Sequence, residues 1–237
     1  MRTKASCSSA TPRRTLSSMG KKKLTHAQKM QREGRAPLKV GVLVSGSGTN
    51  LQAIIDAAES GKINVEVVLV IASRPDAYGL VRAKNAGIPT HAMQKFDYDD
   101  PTAADTVIVD LMQEAGAEYL AMAGYMRKVT SVVLDAYPNR VLNLHPALLP
   151  SFVGAHAIAD AFAAGVKVTG VTVHFANAEY DKGPIVAQRG VKVREDDTEE
   201  TLEARIHKTE HKLYPKVLGW LADGRVSLDD HNHVHIN

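Results

Sequence analysis

Val65–Ala72 holds eight residues of which only Glu66 is polar, and this run limits the possible folds more than any other stretch. A strand so uniformly apolar lacks the alternation of a half-solvated sheet and needs cover on both faces. The flanking segments supply that cover. Val40–Val44 is a short β-branched run that passes at once into the turn Ser45-Gly46-Ser47-Gly48-Thr49-Asn50. Leu51, Ile54, Ile55 and Ala58 then recur at helical spacing until Gly61. The alternation continues with a helix over Leu80–Ala86 closed by Gly87, a short strand at Thr90–Met93 and a helix over Ala103–Ala115 closed by Gly116. Tyr119–Ala123 reads as a strand, Ser131–Tyr137 as a helix and Val141–His145 as the next strand. Strand and helix taking turns in this way predict an α/β fold with an open, mostly parallel, Rossmann-like sheet covered by helices on both faces.

The later part of the chain changes character. Ala157–Ala164 is a helix ending at Gly165, and Gly170–Phe175 and Ile185–Val193 alternate like strands. These two are expected to pair antiparallel at the edge of the parallel block. Thr198–Leu221 reads as one long helix with Leu202, Ile206, Leu213, Val217 and Leu221 on its apolar stripe, and Pro215 predicts a kink or break near Tyr214.

Charge divides the chain unevenly. Residues 1–36 carry ten Lys/Arg against the single acid Glu33, while the other 201 residues carry 19 bases against 25 acids. The formal net charge of +3 therefore describes a basic extension on a mildly acidic body, and nucleic acid is not an expected partner of that body. Residues 1–36 have almost no large apolar side chains and are expected to be disordered. An organellar import segment, a start at Met19 and a basic arm stay open as readings of this extension. Residues 37–226 form the expected domain and 227–237 a solvated C-terminal tail. No apolar run approaches the roughly 18 residues of a membrane span, so no membrane is expected. The single Cys7 excludes an internal disulfide and a cysteine-based metal site, which makes a reducing, cytoplasmic setting the default.

Three segments at strand ends carry polar chemistry. The Gly46-Ser47-Gly48-Thr49-Asn50 turn leads from a strand into a helix, where free backbone N–H groups and the positive end of the helix dipole favour a phosphate. It is neither a dinucleotide fingerprint, since Leu51 stands at the third glycine, nor a Walker loop, since no Lys follows the second glycine. A phosphate monoester is the expected ligand. Gly124-Tyr125-Met126-Arg127 follows another strand of the same set, so it should share the carboxyl edge of the sheet. Asn143 and His145 alternate on a strand that Pro146 stops, so both point the same way. A carboxamide beside an imidazole can meet a carbonyl oxygen that is gaining negative charge, and Asp181, in a polar loop, can reach the imidazole or a water. Taken alone, Asn-x-His is better read as a buried strand with turn-capping polar groups; the neighbouring loops tip the balance. His174, His207 and His211 read as structural or half-exposed histidines, and His231–His235 as solvated; no metal is expected.

These motifs together resemble the phosphoribosylglycinamide formyltransferases, the folate-dependent glycinamide ribonucleotide transformylases of purine synthesis. The likeness runs from about Lys39 to Val226 through Val44–Ile54, Ala123–Arg127, Asn143–Pro150, Gly154–His156, Thr169–His174 and Asp181–Ile185, and ends with Glu210-His211 and Tyr214-Pro215. The resemblance implies formyl transfer from 10-formyltetrahydrofolate to the amine of glycinamide ribonucleotide through a tetrahedral oxyanion, without a metal. It implies Asn143, His145 and Asp181 as catalytic residues and Gly46, Ser47, Gly48, Thr49 and Asn50 at the substrate phosphate. Glu210 would contact the ribose, and Met126, Arg127, Lys128, Val129 and Asn143 would bind folate. The enzyme would be a monomer or homodimer. Another 10-formyltetrahydrofolate-dependent transferase or hydrolase built on the same module is the alternative; the tRNA-directed relatives carry a further C-terminal domain and the hydrolases a regulatory one. One departure stands out. Many relatives have a Phe-x-x-Arg segment whose Arg contacts the substrates, whereas Phe96-Asp97-Tyr98-Asp99-Asp100-Pro101 has no Arg. Ala147 and Val153 stand where Ser and Pro are common.

Overall fold

A computed structural model describes residues 24–237. Helix α1 (His26–Arg32) precedes β1 (Leu38–Val44), α2 (Thr49–Glu59), β2 (Val65–Ala72), α3 (Tyr78–Asn85), β3 (Thr90–Ala92), α4 (Pro101–Glu114), β4 (Tyr119–Met122) and α5 (Ser131–Ala136). The chain continues through β5 (Val141–His145), α6 (Ala157–Ala163), β6 (Val168–Phe175), β7 (Ile185–Lys192) and α7 (Glu199–Ala222) to the strands β8 (Val226–Leu228) and β9 (Val234–Ile236). Seven strands form one sheet in the order β3-β2-β1-β4-β5-β6-β7. β1 to β5 run parallel, and β6 and β7 each reverse direction against the strand before them. The sheet is thus mostly parallel with an antiparallel edge, as the alternation of segments predicts.

Period-two alternation sorts the strands into two cores. Val40, Val42 and Val44 of β1 face one side, where Leu51 and Ile54 of α2 and Leu202, Ile206 and Val217 of α7 are fully buried. Leu43 faces the other side, against Ile108 and Met112 of α4 and Val133 of α5. Each such Leu or Ile contributes roughly 2 kcal/mol of transfer free energy when taken out of water. Helices on both faces account for the apolar run of β2. They also leave the carboxyl edge of the sheet as the open rim, and the order reverses between β1 and β4, where ligands of such sheets bind.

Three expectations are corrected. Residues 24–36 are not disordered: Thr25 and Gln28 cap α1 reciprocally, His26 Nε2 lies 2.8 Å from Asp223 Oδ1, and Ala27 N–H donates to Gly61 O at 3.1 Å. Polar caps and docking hold this helix, so few large apolar side chains suffice for it to form. The remainder of the extension, residues 1–23, lies outside the described residues. Second, α7 runs unbroken through Pro215. The proline removes one helical N–H, but at the expected break Tyr214 is fully buried and its hydroxyl reaches the carbonyls of Leu142 at 3.1 Å and Met122 at 3.2 Å. Third, residues 226–236 form a hairpin rather than a free tail, and Asp229 accepts from the N–H groups of His231 and His233 and from the His235 ring. No helix among the described residues is long and apolar enough to cross a membrane.

Candidate active site

The Ser45–Asn50 turn hangs from the end of β1 and opens α2. Gly48 is the N-cap at φ +68°, in the left-handed region, and a Cβ there would stand 2.6 Å from Gly79 Cα. No side chain caps α2, which leaves the positive end of the helix open to a ligand. Helix α3 pins the loop from outside: Gly79 N–H donates to Gly46 O at 3.1 Å, and Arg82 Nε–H to Ser47 O at 2.8 Å. The cavity above the turn, about 440 Å³, is closed by Ser73, Arg74, Gly124, Met126, Arg127 and His207. Asn50 Nδ2 donates to Glu210 Oε2 at 2.9 Å, and Asn50 Oδ1 is buried without a partner. His207 Nδ1 lies 2.9 Å from the same Glu210 oxygen, and that hydrogen bond holds the imidazole above its ordinary range against the opposing effect of burial.

Ser45 was not singled out from sequence, yet it ties three strand ends together. Its hydroxyl oxygen accepts from Met126 N–H at 2.8 Å and meets Ser73 Oγ at 2.7 Å, while its own N–H donates to Gly124 O at 3.0 Å. A serine in a Ser/Gly-rich turn carries no local sign of that role.

The second cluster lies at the end of β5. Asn143 and His145 share one face, and the antiparallel register sets Asn143 opposite His174 and His145 opposite Thr172. Asp181 comes from the loop after β6 and gathers the group. Its Oδ2 is 3.4 Å from His145 Nδ1 and accepts from Gly154 N–H at 3.1 Å; its Oδ1 accepts from Asn143 Nδ2 at 3.3 Å and lies 3.6 Å from His174 Nε2. His145 is 4% exposed and Asp181 6%. Burial pushes the Asp181 carboxyl upward, but the neighbouring His174 and His145 imidazoles and the Gly154 N–H outweigh it, so the group is held below the usual carboxylate range. Asp181 adopts φ +55°, a left-handed conformation that Asp tolerates better than most residues and that recurs at functional sites. The loop can pass this close to β6 only because residue 183 is glycine, since a Cβ there would sit 1.7 Å from Phe175 O.

His174 therefore belongs to the cluster rather than standing apart as a structural histidine. Its Nδ1 meets Phe175 O at 2.9 Å and its Nε2 meets Asn143 Nδ2 at 3.2 Å. His145 Nε2 donates to Phe152 O at 2.7 Å, and Phe152 is itself left-handed at φ +54°. In this arrangement each ring nitrogen of His145 faces an oxygen acceptor.

Beside the second cluster lies a slot lined by Arg127, Lys128, Val129, Asn143, His174 and Asp181, so four of the five expected folate residues share it. Met126 faces the phosphate-loop cavity instead, and Arg127 borders both. Buried Asp105 accepts from Thr130 N–H and anchors the 126–130 loop. At the segment without Arg, Tyr98 places its ring 4.1 Å beneath the Arg127 guanidinium and shares a 2.9 Å hydroxyl–hydroxyl hydrogen bond with Tyr125. Among the described residues no three His, Cys, Asp or Glu side chains are grouped to hold a metal ion.

Residues 38–218 match the sequence profile of the Formyl transferase family. The phosphoribosylglycinamide formyltransferase of Haemophilus influenzae is 41% identical over 192 residues, covering 81% of this chain and 91% of that protein. The Bacillus subtilis phosphoribosylglycinamide formyltransferase is 39% identical over 180 residues, 76% of this chain and 92% of that protein. The crystal structure of glycinamide ribonucleotide transformylase 1 from Symbiobacterium toebii superposes with a TM-score of 0.82 at 46% identity, over 84% of this chain and 94% of that one.

Proposed function

The chain belongs to the Formyl transferase family, and from that premise we propose that it transfers a formyl group from 10-formyltetrahydrofolate to the amine of glycinamide ribonucleotide in de novo purine biosynthesis. The carrying observation is the pairing, on one sheet rim, of an uncapped helix N-terminus at Gly46–Asn50 with the Asn143–His145–Asp181 cluster. The first suits the phosphate of a small acceptor and the second a carbonyl carbon under attack. Gly46, Ser47, Gly48, Thr49 and Asn50 hold the phosphate, and Glu210, fixed by Asn50, faces the ribose. Arg127, Lys128, Val129 and Asn143 line the folate side, and Met126, on the same segment, faces the phosphate loop.

The folate co-substrate supplies the formyl carbon. As the acceptor amine bonds to it, charge gathers on the formyl oxygen, and Asn143 Nδ2 and His145 Nε2 donate to that oxygen. Each makes this contact by giving up one it holds here, Asn143 Nδ2 its 3.2 Å contact with His174 Nε2 and His145 its 2.7 Å bond to Phe152 O, while Asp181 keeps the ring oriented through Nδ1. When the tetrahedral centre collapses, the bond from carbon to the folate nitrogen breaks. The proton shed by the amine passes to that nitrogen through water held by His145 and Asp181. Arg127, clamped over Tyr98, supplies the polar contact that the absent Phe-x-x-Arg arginine would make. Residues 37–226 form the catalytic domain, and the enzyme works in the cytoplasm as a monomer or homodimer.

The test is formyl transfer to glycinamide ribonucleotide by purified protein, followed by tetrahydrofolate release. Folate binding without any transfer to this acceptor, in the presence of an intact phosphate loop, would sink the assignment.

A further inference from the structure

A cavity of about 800 Å³ lies on the other flank of α2, walled by α1, α2 and α7 and away from the Asn143–His145 cluster. Its volume falls within the range of small-molecule sites. Trp220, the chain's single tryptophan, forms part of the wall, with Lys216 Nζ 5.1 Å and Arg225 Cζ 5.8 Å from its ring centroid. Lys62 and Lys212 also line it, and among the described residues neither forms an ion pair. The cavity's two acids are already engaged: Asp223 with His26, and Asp56 with the Gln52 amide at 2.8 Å. His211 Nε2, another lining group, is buried with no hydrogen-bond partner, which is costly unless something fills the site. An indole face, several unpaired cations and an unsatisfied imidazole nitrogen together fit a planar ring that carries a phosphate.

We propose that the α1–α2–α7 cavity is a second anion site that binds a nucleoside monophosphate, its base on Trp220 and its phosphate on Lys212 and Lys216. Thr49 borders both cavities, whereas Gly46, Ser47, Gly48 and Asn50 line only the other one. Arg82 forms the partition, donating to Ser47 O at 2.8 Å on one side and to Gln52 Oε1 at 3.2 Å on the other. The proposal rests on the cavity's own residues and stands or falls apart from formyl transfer.

The single tryptophan makes the test direct: intrinsic fluorescence of the full chain titrated with adenosine 5′-monophosphate. A saturable quench is expected, and adenosine and ribose 5-phosphate should each bind about tenfold or more weakly, since each lacks one half of the recognition. Lys212 and Lys216 are exposed, so the double variant Lys212→Ala/Lys216→Ala should fold with an unchanged melting temperature and lose about tenfold or more in nucleotide affinity. Absence of any saturable quench overturns the proposal, as does a quench undiminished in the double variant. Ribose 5-phosphate binding as tightly as the nucleotide would leave only a bare anion site and would equally overturn it.

Discussion

In the proposed reaction, negative charge meets backbone at the Gly46–Asn50 turn: a left-handed glycine, an uncapped helix end and a cavity of about 440 Å³. At the end of β5 it meets side chains, packed so that His145, His174 and Asp181 are almost wholly buried. A permanent phosphate needs a binding site that is ready at all times, and main-chain donors supply that at little entropic cost. A charge that exists only in a transition state calls for donors that are stiff and desolvated, so that nothing reorganises when it forms. Damage to the first region should therefore appear as weaker acceptor binding, and damage to the second as slower turnover.

The largest effect should come from His145→Ala, with kcat lower by roughly 10²–10³-fold, the usual cost of losing an oxyanion donor. Asn143→Ala should follow closely. In both, the acceptor KM should stay within a few fold by steady-state kinetics. A large rise in acceptor KM with kcat intact would erase the contrast between the two regions.

Gly48→Ala strikes the other side. The position needs positive φ and has backbone 2.6 Å from any Cβ, so the loop must shift or strain by about 1–3 kcal/mol. The acceptor KM is expected to rise about tenfold while kcat changes little, and thermal melting would register the strain. An unchanged KM would show that the turn does not hold the phosphate.

How far each region could be read from the chain follows the same divide. The Gly46–Asn50 turn is contiguous, so its glycines and polar residues mark it as a candidate anion site, just as the alternation of strand and helix marks the sheet. Asn143 and His145 were legible because period-two alternation is local. His174 was not, because its place opposite Asn143 depends on the register of two strands 31 residues apart. The Phe152 carbonyl left no trace in side-chain identity, and Ser45 looked like any turn serine. Helix α1 was missed because its stability comes from a capping box and contacts with Gly61 and Asp223 rather than from an apolar stripe.

Acid titration sharpens the carbonyl cluster further. Asp181 is held below its ordinary carboxylate value in the folded protein. It therefore contributes stability that is fully present above the unfolded value, about 3.9, and is lost as pH falls through the folded one. Asp181→Asn should lower stability near neutral pH, and the gap to the wild type should narrow in urea melts taken progressively below pH 4. A gap independent of pH would mean that the charge of Asp181 is not what the histidines and Gly154 hold.

The smallest expected effect lies where the two regions meet, at Arg127. Tyr98 holds that guanidinium by its ring and is itself fixed through the Tyr125 hydroxyl. Tyr98→Phe keeps the ring and removes one partly buried hydrogen bond worth about 1 kcal/mol, so the folate KM should rise only a few fold. Tyr98→Ala also removes the cation–π contact, worth roughly 0.5–2 kcal/mol, and frees Arg127 to swing; about a tenfold rise in folate KM is expected. The acceptor KM is the discriminating readout, because Arg127 borders both cavities. If it rises in parallel with the folate KM, Arg127 serves the phosphate as much as the folate, and the division between a backbone half and a side-chain half gives way at this residue.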